Sequence, residues 1–203
     1  RPNAQRAMRL ASYASVIVAF ILIVAKTSAW LATDSIAVLS SLIDSFLDAL
    51  ASIVTLIAIR HSLQPADREH RFGHGKVEAL AALAQSAFIV GSAVLLLFEA
   101  GARSLDPQEI TRGNVAIYVM LFSIALTYML VLIQRWAIRK SGSVAIRADS
   151  LHYTGDLLMN AAVIVAILLV TELGWTMADP VFGAGIAAYI IWSAYRIVRN
   201  SLD

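Results

Sequence analysis

The chain has 203 residues, 59 % of them hydrophobic, and a mean hydropathy of +0.74. Soluble domains hold only about 45–50 % apolar residues, so the composition excludes a soluble globular fold, and the lack of cysteine excludes disulfides and thiolate metal ligands alike. The net charge of +2 does not point to nucleic acid, because the basic residues are spread over several helix flanks instead of gathering on one face.

Six stretches are long and apolar enough to cross a bilayer, which takes about 20 residues each. They run at about 10–32, 36–60, 78–103, 113–137, 143–171 and 179–199. The sequence therefore predicts an all-α membrane protein, a six-transmembrane-helix bundle, with residues 1–203 forming one transmembrane domain. The first span follows Arg1, Arg6 and Arg9 and encloses Lys26. The second carries IDSFLDAL, with Asp44 and Asp48 spaced i, i+4. A hydrophilic loop, HSLQPADREHRFGHGKV, leads to the third span, whose Ala84, Ala87 and Gly91 permit close helix approach, either within the chain or against a second copy. After the fourth span, Ser141-Gly142-Ser143 breaks the helix and places a serine to cap the fifth. The fifth carries LHYTGDLL, with His152 and Asp156 again spaced i, i+4. Thirteen Lys and Arg flank one side of these spans and only Arg103 and Arg112 the other, so the positive-inside rule puts both termini in the cytoplasm.

The two polar pairs are the informative feature. Residues spaced i, i+4 share a helix face, and each charged side chain at the bilayer centre costs roughly 2.5–3.5 kcal/mol on insertion scales. The midpoint of Asp44/Asp48 lies about 14 residues from Arg60 and that of His152/Asp156 about 13 from Ser141, roughly 20 Å from the inner surface in both cases. The pairs can meet. Ser41, Asp44, Asp48, Ser52 and Thr55 form one stripe on the second span, and Asp149, His152, Asp156 and Asn160 form another on the fifth. Neither stripe belongs against lipid, so together they sketch a hydrophilic path, with Asp149 and Asn160 expected to line it.

Three carboxylates and one imidazole suit a divalent metal. Four ligands from two helices fit tetrahedral Zn²⁺, and the single histidine tilts the choice from Mg²⁺, Ca²⁺ and Mn²⁺ toward Zn²⁺, with Fe²⁺, Co²⁺ and Cd²⁺ as alternatives. With all three aspartates ionised the empty site carries −3 and the loaded one −1, so metal release calls for protons in return. The rival readings are structural ion pairing of a single Asp with Lys26 or Arg147, and a proton relay without metal. Asp67, His70 and His74 in the loop, spaced 3 and 4, form a second candidate set with an open ligand position. No H-E-x-x-H is present, and the chain is not read as an enzyme.

D-S-F-x-D in the second span, P-A-D-x-x-H-R-F-G-H-G-K-x-E in the loop and A-D-S-L-H-Y-x-x-D in the fifth resemble the cation diffusion facilitator family, in particular its bacterial zinc and ferrous-iron efflux branch, over nearly the whole chain. The resemblance implies a proton-coupled exporter of divalent metal working as a homodimer in the inner (plasma) membrane. By the same resemblance Asp44, Asp48, His152 and Asp156 match the transport site, and Asp67, His70 and His74 a cytosolic loop site. It further implies a C-terminal cytosolic domain, which these 203 residues do not include. The expected partners are divalent metal ions, protons, the lipid bilayer and a second copy, with no nucleic acid. The competing function is a membrane metal sensor or scaffold that transports nothing.

Overall fold

A computed structural model describes residues 2–33, 36–64, 75–105, 114–175 and 177–202. Six helices follow one another: α1 Pro2–Thr33, α2 Ile36–Ser62, α3 Gly75–Leu105, α4 Asn114–Ser141, α5 Val144–Leu173 and α6 Ala178–Leu202. Among the described residues there is no strand.

The helices correspond to the six expected spans, with one clear difference at the N-terminus. α1 starts well before the apolar run that begins near residue 10. Pro2 occupies its first turn, where a missing N–H costs nothing, and the segment that follows is rich in good helix formers. This extension is fixed by packing: Ala7, Met8 and Ala11 form a buried cluster with Ile59, Ala137, Ala145 and Ile146 from the inner ends of α2, α4 and α5. An apolar-length criterion measures the bilayer crossing and misses a helix that continues beyond it. α2, α4 and α6 likewise run slightly past their expected ends, into last turns bearing Arg60 and His61, Arg139 and Lys140, and Arg199. Cations there complement the carbonyl end of the helix.

The α4–α5 turn follows the capping logic. Gly142 adopts φ 71°, a left-handed conformation that glycine accepts without penalty, and donates its N–H to the Ile138 carbonyl at 2.7 Å. Ser143 then caps α5, its Oγ accepting from the Ile146 N–H at 3.2 Å. A carboxylate from another helix adds to the cap: Glu78, in the first turn of α3, accepts from the Val144 N–H at 2.9 Å and the Ala145 N–H at 3.5 Å. The negative charge faces the positive end of α5.

α5 is the centre of the bundle and packs against all five other helices; α1 pairs with α2 and α4, and α3 with α6. Ile17, Phe20, Leu50, Ile57, Leu95 and Phe98 are exposed, whereas Ser15, Ser52, Thr55, Gln85, Gln134 and Asp149 are buried. Large apolar side chains outside and polar groups inside is the pattern of a protein solvated by lipid. Among the described residues, five helices are long and apolar enough to cross a membrane. α5 carries Arg147, Asp149, His152, Asp156 and Asn160, and its place among the other five lets it hold these groups in the bilayer. Half of the buried apolar residues among those described are alanine, so the helices meet nearly backbone to backbone.

Candidate metal centre

Asp48 from α2 and His152 and Asp156 from α5 converge near the middle of the bundle. His152 Nε2 lies 2.6 Å from Asp48 Oδ1 and 3.8 Å from Asp156 Oδ2. One ligand atom from each of the three falls within 4.8 Å of the others. Asp48 and His152 are largely buried, while Asp156 has a side-chain exposure of 40 %. The imidazole is held from its sides by Phe88, with ring centroids 5.9 Å apart, and Tyr153, at 5.8 Å.

The 2.6 Å contact is a hydrogen bond; an ionised carboxylate can only accept, so with Asp48 ionised Nε2–H is the donor. Zn–N and Zn–O bonds of about 2.0–2.2 Å place tetrahedral neighbours roughly 3.3 Å apart, so a bound ion requires the Nε2–Oδ1 pair to open by about 0.7 Å. It also requires any proton on Nε2 to leave, to Nδ1 from a neutral ring or out of the site from an imidazolium, since the ion takes the same lone pair. The Asp156 contact at 3.8 Å is already wide enough.

The other expected ligands are placed differently. Asp44, one turn from Asp48, is exposed and is not part of the three-residue cluster. Asp67, His70 and His74 lie outside the described residues. Lys26 reaches across from α1 to α2, where its ammonium donates to the Ser41 carbonyl at 3.1 Å and to Ser45 Oγ at 2.7 Å. From there its charge acts on Asp44, Asp48 and Asp156 without forming an ion pair with Asp48 or Asp156. Ala84, Ala87 and Gly91 of α3 are exposed, so their small size does not serve packing within the chain.

Asp149 departs most from expectation. It does not line a path; it is 1 % exposed and closed over by four side chains from four helices. Ser15 Oγ and Gln134 Nε2 donate to Oδ2 at 2.6 and 2.8 Å, and Ser52 Oγ and Gln85 Nε2 to Oδ1 at 3.3 and 3.1 Å. Behind them, Thr55 donates to Gln85 Oε1 at 2.7 Å, Gln134 Nε2 also reaches Ser15 Oγ at 3.0 Å, and Tyr153 OH meets Ser52 Oγ at 2.8 Å. Every arrow in this network points toward the carboxylate. A group facing only donors has no lone pair to offer a cation, so Asp149 joins α5 to α1, α2, α3 and α4 one turn inward of His152. The signal was present in the sequence as Gln85 and Gln134, two amides inside apolar spans, but without a fold nothing connects them to each other or to Asp149.

Residues 12–203 match the cation efflux transmembrane domain. The chain belongs to the cation efflux family. It is 47 % identical to the cation-efflux pump FieF of Pectobacterium carotovorum, over 100 % of this chain and 68 % of that protein. It is 49 % identical to the FieF of Shewanella oneidensis, over 97 % of this chain and 67 % of that one, and 46 % identical to that of Yersinia pestis, over 100 % and 68 %. This cation efflux protein is thus a multi-pass membrane transporter, not an enzyme, and its candidate centre lies on the two helices whose polar motifs carry the family resemblance.

Proposed function

We propose that the chain exports Zn²⁺ from the cytoplasm in exchange for protons, with Asp48, His152 and Asp156 as three ligands of the transported ion and Asp44 completing the shell on loading. The carrying observation is the Nε2–H···Oδ1 bond between His152 and Asp48, 2.6 Å long and beside Asp156. Proton and metal compete for that nitrogen, so occupancy by one excludes the other. An incoming proton restores the hydrogen bond, and a divalent ion breaks it. With the metal-free ring an imidazolium between Asp48 and Asp156, loading releases one proton and unloading takes one up, which couples the two fluxes, while Lys26 limits the excess negative charge of the metal-free state. One nitrogen among oxygen ligands favours Zn²⁺, with Fe²⁺, Co²⁺ and Cd²⁺ as further substrates.

In the same reading Asp67, His70 and His74 bind metal at the cytosolic surface. The working unit is a homodimer, for which the exposed small residues of α3 leave a surface free. Purified protein in sealed liposomes is expected to carry Zn²⁺ with opposing proton movement, and Asp48→Ala and Asp156→Ala to abolish both. Tight Zn²⁺ binding without flux under either gradient would establish the sensor or scaffold instead.

A further inference from the structure

A second polar feature lies on the opposite side of α5 from the α1 and α2 contacts. Between α4 and α6, with α5 as its floor, the inner half of the bundle holds an open cleft of about 300 Å³. Three arginines reach it, one from each helix: Arg135, Arg147 and Arg196. Ser150, Thr154 and Ser193 add hydroxyls, and Ile138, Leu151 and Ile197 supply an apolar wall. No acidic side chain among the described residues lines the cleft. Among the described residues none of the three guanidinium groups is paired with a carboxylate, and Arg196 instead stacks over the Trp192 ring at 4.9 Å.

Three unneutralised cations around one concavity call for an anion with several oxygen acceptors, which guanidinium groups bind by paired hydrogen bonds. The surroundings decide which kind of anion. Trp136, Trp192 and Tyr195, next in sequence to or one turn from the cleft arginines Arg135 and Arg196, are exposed on α4 and α6, and exposed Trp and Tyr near span ends mark the headgroup level of a bilayer. The cleft occurs on the side with the basic flanks, the cytoplasmic leaflet, where anionic lipid meets basic pockets between helices. Its apolar wall suits the glycerol and first acyl carbons of such a molecule, which a soluble phosphate lacks.

We infer that the cleft formed by Arg135, Arg147 and Arg196 binds the phosphate headgroup of an anionic phospholipid from the inner leaflet, joining α4 and α6 across the face of α5.

The test uses the whole chain reconstituted in phosphatidylcholine bilayers containing phosphatidylglycerol with brominated acyl chains. Trp136 and Trp192 beside the cleft report occupancy by quenching, and brominated phosphatidylcholine gives the reference. The parent protein is expected to prefer phosphatidylglycerol by at least tenfold. Arg147→Gln with Arg196→Gln removes two of the three guanidinium groups that hold the headgroup and should bring the preference to within about twofold of that for phosphatidylcholine. The pair Arg139→Gln with Arg199→Gln removes the same charge outside the cleft and should leave the preference within threefold. Three results overturn the inference: no preference in the parent, equal loss in the two double variants, or removal of the preference by millimolar inorganic phosphate, which would mark a site for a soluble anion. Absence of a preference in the parent overturns the inference even if a variant does not fold.

Discussion

Replacing Asp149 separates two things that a buried carboxylate supplies, charge and acceptors. In Asp149→Leu, four donors face a methyl group. Ser15 can turn its hydroxyl to the Ala11 carbonyl, already 3.1 Å away, and Ser52 retains Tyr153 as a partner. Gln134 keeps one N–H on Ser15, but its second N–H and the Gln85 N–H lose their acceptor in a fully closed site. Two orphaned amide N–H groups cost about 1–3 kcal/mol each, and relief of the carboxylate's own desolvation offsets part of that, leaving about 2–4 kcal/mol. Asp149→Asn is milder. Its amide oxygen can take the place of Oδ2, and its nitrogen can donate to Ser52 Oγ and, once Gln85 turns its amide over, to Gln85 Oε1, with Thr55 accepting from the turned N–H. The net loss should be about 1 kcal/mol or less. Reversible unfolding in mixed micelles, followed by tryptophan fluorescence, measures both variants against the parent. Leucine within about 0.5 kcal/mol of the parent, or asparagine as damaging as leucine, would refute the acceptor argument and leave charge as the reason for the residue.

Four further outcomes are open to direct measurement. His152→Asp makes the candidate centre all-oxygen, so competition binding should show weaker discrimination of Zn²⁺ from Mn²⁺, and the loss of Zn²⁺ affinity on acidification between about pH 6 and 7.5 should flatten or move lower. In the parent, Zn²⁺ binding should weaken steadily as pH falls through that range, because Nε2 and the carboxylates take protons in place of the ion; a flat titration by calorimetry would remove His152 from the ligand set. Lys26→Met removes a cation acting on three aspartates, so Zn²⁺ should bind more tightly while turnover in liposomes slows; weaker binding would mean that Lys26 orders α2 through Ser41 and Ser45 and has no electrostatic part in loading. Glu78→Ala takes the carboxylate cap from α5 and should lower stability by about 1–2 kcal/mol, with a smaller loss in Glu78→Gln, read from unfolding midpoints.

The parts of this protein that follow from local rules were readable before the fold. Apolar length located the six helices, the Ser-Gly-Ser turn located the cap of α5, and i, i+4 spacing with matched depth brought Asp48, His152 and Asp156 into one place. Features that depend on several helices meeting were not. Asp149 shares a sequence stripe with His152, but whether a stripe faces water, metal or four donors is decided by what Ser15, Ser52, Gln85 and Gln134 do at the same level. Asp44 shares the helix face of Asp48, but spacing alone does not say which of the two lies beside His152; the three-residue cluster holds Asp48. The inward extension of α1 escaped because its reason is contact with Ile59, Ala137 and Ile146, and no property of residues 2–9 announces that.

The alanine content of the interior decides which mutational experiments can inform about this bundle. An alanine scan is silent at half of the buried apolar positions, because the native side chain is already the probe. The sensitive perturbation is the addition of volume. Ala82, Ala148 and Ala194 meet where α3, α5 and α6 come together, and a leucine at any of them has no cavity to enter, so backbones must separate. A scan by enlargement would therefore map which seams open during a transport cycle: at a seam that parts, the larger residue traps the parted state, and at one that never parts it lowers yield and melting temperature alone.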